Sequence, residues 1–158
     1  MLISAVRGAV AGAVAVWLMD LVTTAMLDHQ DPKVTRREEA ARPNDKPALT
    51  NLVDRLEEQT GADLNQEQSE SLVMILHYAL GIVPGAIYGA LRRVPVVGSI
   101  NGAFYGVALW AINDEYLNSR LGLAGPFDAY PPETHLRGLI GHVVLGITTD
   151  TGISLLGG

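Results

Sequence analysis

The fold is decided by residues 81–113, GIVPGAIYGALRRVPVVGSINGAFYGVALWAIN. The pattern G-x-x-x-G-A-[I/F]-Y-G occurs twice in this stretch, first from Gly81 and again from Gly98. Apart from the two arginines between the repeats, the stretch carries no charge. Glycines four residues apart lie on one face of a helix, where they let a second helix approach closely. The stretch therefore predicts two apolar helices that form a hairpin at the centre of the fold, each with a glycine row for packing.

The distribution of charge along the chain indicates a membrane protein. The chain has 158 residues, enough for one domain, and 48% of them are hydrophobic. Of its 28 charged residues, 17 fall between Asp28 and Glu70, so the rest of the chain is almost uncharged. Membrane proteins confine charge to their loops in this way. The chain has no cysteine, which excludes disulfides and thiolate sites, and no basic patch, so nucleic acid is not expected as a partner.

Four segments are long enough to cross a ~30 Å hydrocarbon layer as helices. They cover approximately residues 3–27, 71–91, 94–112 and 136–156. We therefore predict an all-α bundle of four transmembrane helices in a single domain, residues 1–158, with the lipid bilayer as its partner. Glycine-zipper packing would hold the helices together, and the same rows are alternatively an interface for a homo-oligomer. The rows contain Gly8, Gly12, Gly81, Gly85, Gly89, Gly98, Gly102 and Gly106.

The first two spans are joined by a polar connection, residues 28–70. Within it, residues 48–60 place apolar side chains at i, i+3, i+4 and i+7 between Pro47 and Gly61, which predicts a short amphipathic helix. Asn65 followed by Gln68 resembles a capping box and predicts that the next helix begins outside the membrane. Four spans place this connection and the later one, residues 118–133, on the same side of the membrane. We call it side A.

Ionisable residues in the spans fall at a common depth from side A. Asp20, His77 and His142 each lie six or seven residues inside their spans, about 10 Å from the surface. Intramembrane residues of this kind usually face the interior of a bundle or a wet cavity. The complete candidate set for a site is Asp20, His77, Asp114, Glu115, His135 and His142.

Three interpretations of these polar groups remain open. The histidines and carboxylates can form a hydrogen-bonded network that stabilises the bundle. They can instead ligate a metal ion such as Zn, Fe or Mn, or a haem with His77 and His142 as axial ligands. The third interpretation is a proton or ion path built from Asp, Glu and His. No H-E-x-x-H motif, nucleophile elbow or P-loop is present, so the sequence gives no indication of an enzyme.

Several segments resemble the YagU-like family of small bacterial inner-membrane proteins, a domain of unknown function. They are AVWLMDLVTT, REEAARP, LHYALGIVPGAIYGALRR, NDEYLNSRLGL and PPETHLRGLIGHVVLGI. The resemblance implies a multi-pass protein of the bacterial inner membrane and implies no activity. The six candidate site residues match the pattern of the family.

The sequence therefore predicts an integral inner-membrane protein with an intramembrane cluster of histidines and carboxylates. The cluster would bind a metal ion or haem, or relay protons. The alternative is a non-catalytic structural or assembly protein in which the cluster is only a hydrogen-bonded core.

Overall fold

The computed structural model describes residues 1–92, 94–98 and 101–158, and all regular structure within these ranges is helical. This confirms the all-α prediction. The helices are α1 (Leu2–Asp28), α2 (Pro32–Ala40), α3 (Ala48–Thr60), α4 (Gln66–Leu91), α5 (Pro95–Gly98), α6 (Gly102–Leu109), a π-helix (Trp110–Leu117) that continues α6, α7 (Asn118–Arg120) and α8 (Pro132–Leu155). Single 3-10 turns lie at Pro43–Asp45 and Phe127–Ala129.

Three helices of the described chain, α1, α4 and α8, are long and apolar enough to cross a membrane. Their most apolar windows have mean hydropathies of 1.8, 1.7 and 1.2. Only 22% of this window is buried inside the protein in α1 and α4, and 33% in α8. Water would contact the remaining apolar surface at a high free-energy cost, so these helices indicate a membrane protein. They correspond to the first, second and fourth predicted spans.

The prediction of one continuous helix over residues 94–112 was wrong. The single turn α5 ends at Gly98, and α6 begins at Gly102. Asn101 precedes α6 as its N-cap, and its Oδ1 accepts a hydrogen bond from the backbone N–H of Phe104 at 2.9 Å. A side chain that satisfies free N–H groups in this way favours a new helix start. Residues 99 and 100 of the predicted span lie outside the described residues.

The predicted helix starts in the polar connection are confirmed. The Asn65 side chain accepts from the N–H of Gln68 at 3.0 Å, and the Gln68 side chain accepts from the N–H of Asn65 at 2.9 Å. This capping box begins α4 outside the apolar segment. The amphipathic helix α3 has the predicted bounds and ends at Gly61, whose φ of 71° suits glycine. The helix α2, which the sequence analysis did not predict, is capped by the Asp31 side chain.

Helix α4 packs against α1 through glycines from both helices. A methyl group built on Gly8 would overlap the carbonyl oxygen of Gly85, and one on Gly12 would overlap that of Gly81. Gly89, one turn further along α4, lies against the backbone of Ser4. The backbones are thus in direct contact, which no residue with a Cβ would allow at these positions.

Helix α6 packs against α8 in the same manner. A methyl group on Gly106 would overlap the carbonyl oxygen of His142, and one on Gly146 would overlap that of Gly102. Gly98 ends α5, and its surroundings lie outside the described residues.

The two glycine repeats therefore do not form the centre of the fold, contrary to the prediction. The row on α4 faces α1, and the row on α6 faces α8. Helices α1 and α8 pack closely against each other, whereas α4 and α6 are not a closely packed pair within the described residues. The order across the protein is thus α4, α1, α8, α6. Buried Val16 and Leu145 lie between the inner two helices.

Candidate functional site

The acidic residues Asp114 and Glu115 lie in the π-helix that continues α6. A π-helix has wider turns than an α-helix and is frequent at functional sites. Both carboxylates reach α8: Glu115 Oε1 lies 2.7 Å from Nδ1 of His135, and Asp114 Oδ2 lies 3.6 Å from Nδ1 of His142. The two histidines are two turns of α8 apart, about 10 Å along its axis. Neighbouring acidic residues thus contact histidines at two different depths.

A third pair joins α1 to α4. Nε2 of His77 lies 2.8 Å from Oδ1 and 3.1 Å from Oδ2 of Asp20, so one N–H can donate to both oxygens. His77 lies one turn before Gly81 on the face of α4 that packs on α1, as the glycine row predicted. The direction of this row therefore located a contact between two ionisable residues 57 positions apart.

The partners of His135 fix the number of protons in its pair with Glu115. Nε2 lies 3.0 Å from the carbonyl oxygen of Phe127, which can only accept, so this nitrogen carries a proton. Nδ1 faces the Glu115 carboxyl group at 2.7 Å, and that contact also needs one proton. Either His135 is doubly protonated beside a carboxylate, or a neutral His135 accepts from a protonated Glu115. Both forms have the same net charge, so the shared proton can move without charging the site.

His142 and Asp114 make a looser pair. Nδ1 of His142 donates to the carbonyl oxygen of Gly138 at 3.0 Å, which leaves Nε2 without a partner in the described part of the chain. The 3.6 Å separation of this nitrogen from Asp114 Oδ2 is too long for a hydrogen bond. The other carboxylate oxygen accepts from the Asn113 side chain at 3.2 Å. This pair can therefore accept hydrogen bonds from water or a ligand.

Two cavities meet at the Asp114–His142 pair. The first, of about 270 Å³, lies between the π-helix and the start of α8 and is also lined by Glu115, His135 and Arg137. The second, of about 350 Å³, lies between α4 and α6 and is also lined by His77. Asp114 and His142 line both cavities. Each cavity has room for several water molecules, and at least one member of every pair lines a cavity.

All six predicted site residues lie in the half of the protein near side A, as three separate pairs. Within the described residues, no group of three or more histidines and carboxylates could hold a metal ion. A metal site normally needs at least three protein ligands that converge on one point. The geometry therefore favours the sharing of protons within pairs, and metal or haem binding stays a prediction.

The sequence analysis did not identify the charged contacts that cover the first cavity. Glu38 of α2 is only 5% exposed and accepts from Arg137 of α8 at 2.7 and 2.8 Å. Burial alone would raise the pKa of Glu38, but the hydrogen bonds and charge of Arg137, with hydrogen bonds from Arg42 and Thr134, outweigh it and lower that pKa. Arg137 also donates to the Gln30 side chain at 2.6 Å. These contacts hold the connection of residues 28–70 against the start of α8, beside the first cavity.

A second polar centre lies at the opposite end of the helices and was also missed. The hydroxyl of Tyr88 donates to Asp150 at 2.8 Å, and Arg92 lies 3.1 Å from the same carboxylate. The ring of Tyr88 stacks on that of Tyr105, with centroids 4.4 Å apart. These tyrosines hold the same position in the two glycine repeats, which is the signal that could have located the centre. Apolar Val16 and Leu145 lie between this centre and side A.

Comparison with known proteins gives no match: no family model, curated protein or solved structure is similar to the chain. The resemblance to the YagU-like family therefore stays a prediction from motifs, and the function must be argued from the geometry of the site.

Proposed function

We propose that the protein is a four-span helical bundle of the bacterial inner membrane that takes up protons from side A and relays them through three histidine–carboxylate pairs. The observation that carries the proposal is the position of Asp114 and His142, which line both cavities and stand between the other two pairs. Chains of acidic residues and histidines at membrane depth are typical of proton relays.

The fourth span in this proposal is α6 with its π-helix. Together they run from Gly102 to Leu117 and pack along α8. Gly102 and Gly106 place the first turns of α6 directly against the spanning helix α8, which supports a position of α6 at membrane depth. The glycine contacts between α1 and α4, and between α6 and α8, support zipper packing inside one chain. An additional homo-oligomer would need other surfaces of these helices.

Proton sharing at His135 supports the chemistry of the relay. One proton is shared between Nδ1 and Glu115 while the net charge of the pair stays constant, so its transfer needs no charge separation in the membrane. His142, whose Nδ1 lies beside Asp114, has a free Nε2 and can pass a proton between the two cavities. Water in the cavities would connect the pairs, since their walls carry donors and acceptors.

The relay is tested in proteoliposomes that contain a pH-sensitive dye and are energised by a potassium gradient with valinomycin. Because the pairs occupy only the half near side A, transmembrane flux requires protons to pass the apolar layer of Val16 and Leu145 and to leave through the Tyr88–Asp150 centre. We expect the wild-type protein to acidify the lumen, and Asp114→Asn to reduce the initial rate at least tenfold. Asp128→Asn removes an exposed carboxylate of the second connection and is the matched control. A wild-type rate no greater than that of empty liposomes, or an unchanged rate in Asp114→Asn, would refute the relay.

A structural protein is the second candidate, and one observation favours it. Each pair joins two different helices, α1 to α4 or α6 to α8, as polar side chains do when they stabilise membrane bundles. This candidate predicts no proton flux, together with lower unfolding stability when Asp20 or Glu115 is replaced by its amide. Metal analysis and an absorption spectrum of the purified protein test the remaining prediction, which is a bound metal ion or haem.

A further inference from the structure

We infer that the cleft between α4 and α6 binds a membrane-soluble molecule that has a compact, uncharged hydrogen-bonding head and an apolar tail. The inference rests on the proposed function, because the groups that would hold the head of this molecule are those of the relay. It uses the second cavity, of about 350 Å³, whose walls come from both helices.

The cleft exists because the two glycine repeats face away from each other. The row on α4 is in contact with α1, and the row on α6 is in contact with α8. The outer helices α4 and α6 are therefore held apart by the inner pair. The stacked rings of Tyr88 and Tyr105 bridge the space between them at the end far from side A, and the space remains open near side A.

The walls of the cleft suit an apolar tail and face the hydrocarbon layer. Leu80 and Pro84 line it from α4, and Ile112 and Leu117 line it from the π-helix. Leu80, Ile112 and Leu117 are 41%, 56% and 38% exposed, so the rim opens on the outer surface of the membrane-spanning part. Leu49 of the amphipathic helix α3 lines the cleft from side A. A ligand would therefore enter sideways from the lipid.

The floor of the cleft suits a polar head. We call four of the polar residues that line the cleft its floor: they are His77, Asn113, Asp114 and His142. The free Nε2 of His142 and the loosely held Asp114 carboxylate can accept hydrogen bonds, and the Asn113 amide can both donate and accept.

The combination of walls and floor selects the class of ligand. A plain hydrocarbon chain would leave the polar groups of the floor without partners, which costs free energy in a dry cleft. A permanently charged ligand would lose its hydration on entry through apolar walls. A hydroxyl or carbonyl head on an apolar tail satisfies both requirements, as in a quinol or a long-chain alcohol.

The test uses photo-cross-linking in phosphatidylcholine nanodiscs with four probes that share one diazirine-bearing decyl tail. Their heads are a hydroquinone, a hydroxyl, a trimethylammonium group and a plain methyl group, and labelled peptides are mapped by mass spectrometry. We expect the hydroquinone or hydroxyl probe to label residues 77–84 and 109–117 at least tenfold more than the methyl probe, and the stronger of these two identifies the head. Equal labelling by the methyl probe, or strongest labelling by the trimethylammonium probe, would overturn the inference.

Variants at the rim test the route of entry. Ile112→Trp fills the mouth of the cleft and should reduce labelling at least tenfold, whereas Val83→Trp, on a lipid-facing position of α4 outside the cleft, should change it less than twofold. Leu117→Trp is a second blocking variant in case the first does not fold, as judged by size-exclusion chromatography. Labelling that persists in a folded blocking variant would overturn the inference. The proteoliposome assay of proton flux contains none of these probes. Failure of the relay and failure of the cleft to bind a ligand are therefore detected in different experiments.

Discussion

The contact between α1 and α4 predicts a measurable cost for one methyl group at Gly85. A Cβ at this position would stand 2.5 Å from the carbonyl oxygen of Gly8 and 3.2 Å from Cα of Gly12. Ordinary contact begins at 3.4 Å, so the helices must separate by the difference, about 0.9 Å. A gap of this size forfeits about a quarter to a half of the dispersion energy along the contact, and overpacking typically costs about 1–3 kcal/mol.

Alanine also favours a helix over glycine by about 1 kcal/mol, which opposes this loss. Because the overlap is with backbone atoms, which cannot rotate away, we place the overpacking cost in the upper part of its range, about 2–3 kcal/mol. We therefore expect Gly85→Ala to lower the free energy of unfolding by about 1–2 kcal/mol. The assay is equilibrium unfolding by SDS in mixed micelles, followed by far-UV circular dichroism.

The control for this experiment is Val83→Ala, which shortens a lipid-facing side chain that is 55% exposed on the same helix. It should change the free energy of unfolding by less than about 0.5 kcal/mol. A Gly85→Ala protein as stable as the wild type, or more stable, would show that the backbones do not need direct contact. That result would refute the account of packing given above.

Three further predictions concern polar contacts. Glu38→Gln should destabilise the protein by about 3 kcal/mol, because it leaves the guanidinium group of Arg137, whose side chain is only 13% exposed, without its carboxylate. Because folding lowers the pKa of Glu38, its ionised carboxylate contributes fully to the free energy of unfolding above the ordinary pKa of 4.5, and this contribution is lost as the pH falls through the lowered pKa. Unfolding curves measured at several pH values should show this loss in the wild type and not in the variant. Tyr88→Phe removes a hydrogen bond to Asp150 and should cost about 2 kcal/mol, whereas Tyr105→Phe should be neutral within about 0.5 kcal/mol, because the Tyr105 hydroxyl has no hydrogen-bond partner in the described chain; the same SDS titration compares the two. Asn51→Leu leaves the backbone carbonyls of Lys46 and Leu123 without their donor, and trypsin should cleave the connection of residues 28–70 several times faster than in the wild type.

Local signals in the sequence predicted individual helices well. The capping box at Asn65 and the apolar spacing of α3 depend only on neighbouring residues, so their physical cause lies within the sequence window that reveals them. The break before α6 also has a local cause, the Asn101 cap, but its signal is one polar residue in an apolar run.

The arrangement of the helices was not predictable in the same way. A glycine row shows which face of a helix packs and does not show which helix packs on it. Helices adjacent in the chain were expected to pair, whereas the row of Gly81 meets that of Gly12 on a helix far earlier in the chain.

The candidate site was predictable in its location and not in its pairing. The common depth of Asp20, His77 and His142 follows from counting residues along spans. The contact of Asp114 with one histidine and of Glu115 with another depends on the π-helix, which no sequence pattern indicated. The Glu38–Arg137 pair joins residues 99 positions apart, one in the connection of residues 28–70 and one in α8, so periodicity within either segment gives no sign of it.

The position of α8 between α1 and α6 has a consequence for the synthesis of the protein. This helix follows the other long helices in chain order, and it has the lowest mean hydropathy of the three candidate spans, 1.2. Helices α1 and α4 can associate as soon as both have left the ribosome, but Asp114 and Glu115 have no histidine partners until α8 enters the membrane. Until then the two carboxylates of the π-helix have no histidine partners. The helix that supplies these partners, α8, is also the candidate span whose apolar surface favours membrane insertion least. Assembly of the polar site and insertion of α8 are thus expected to be a single event.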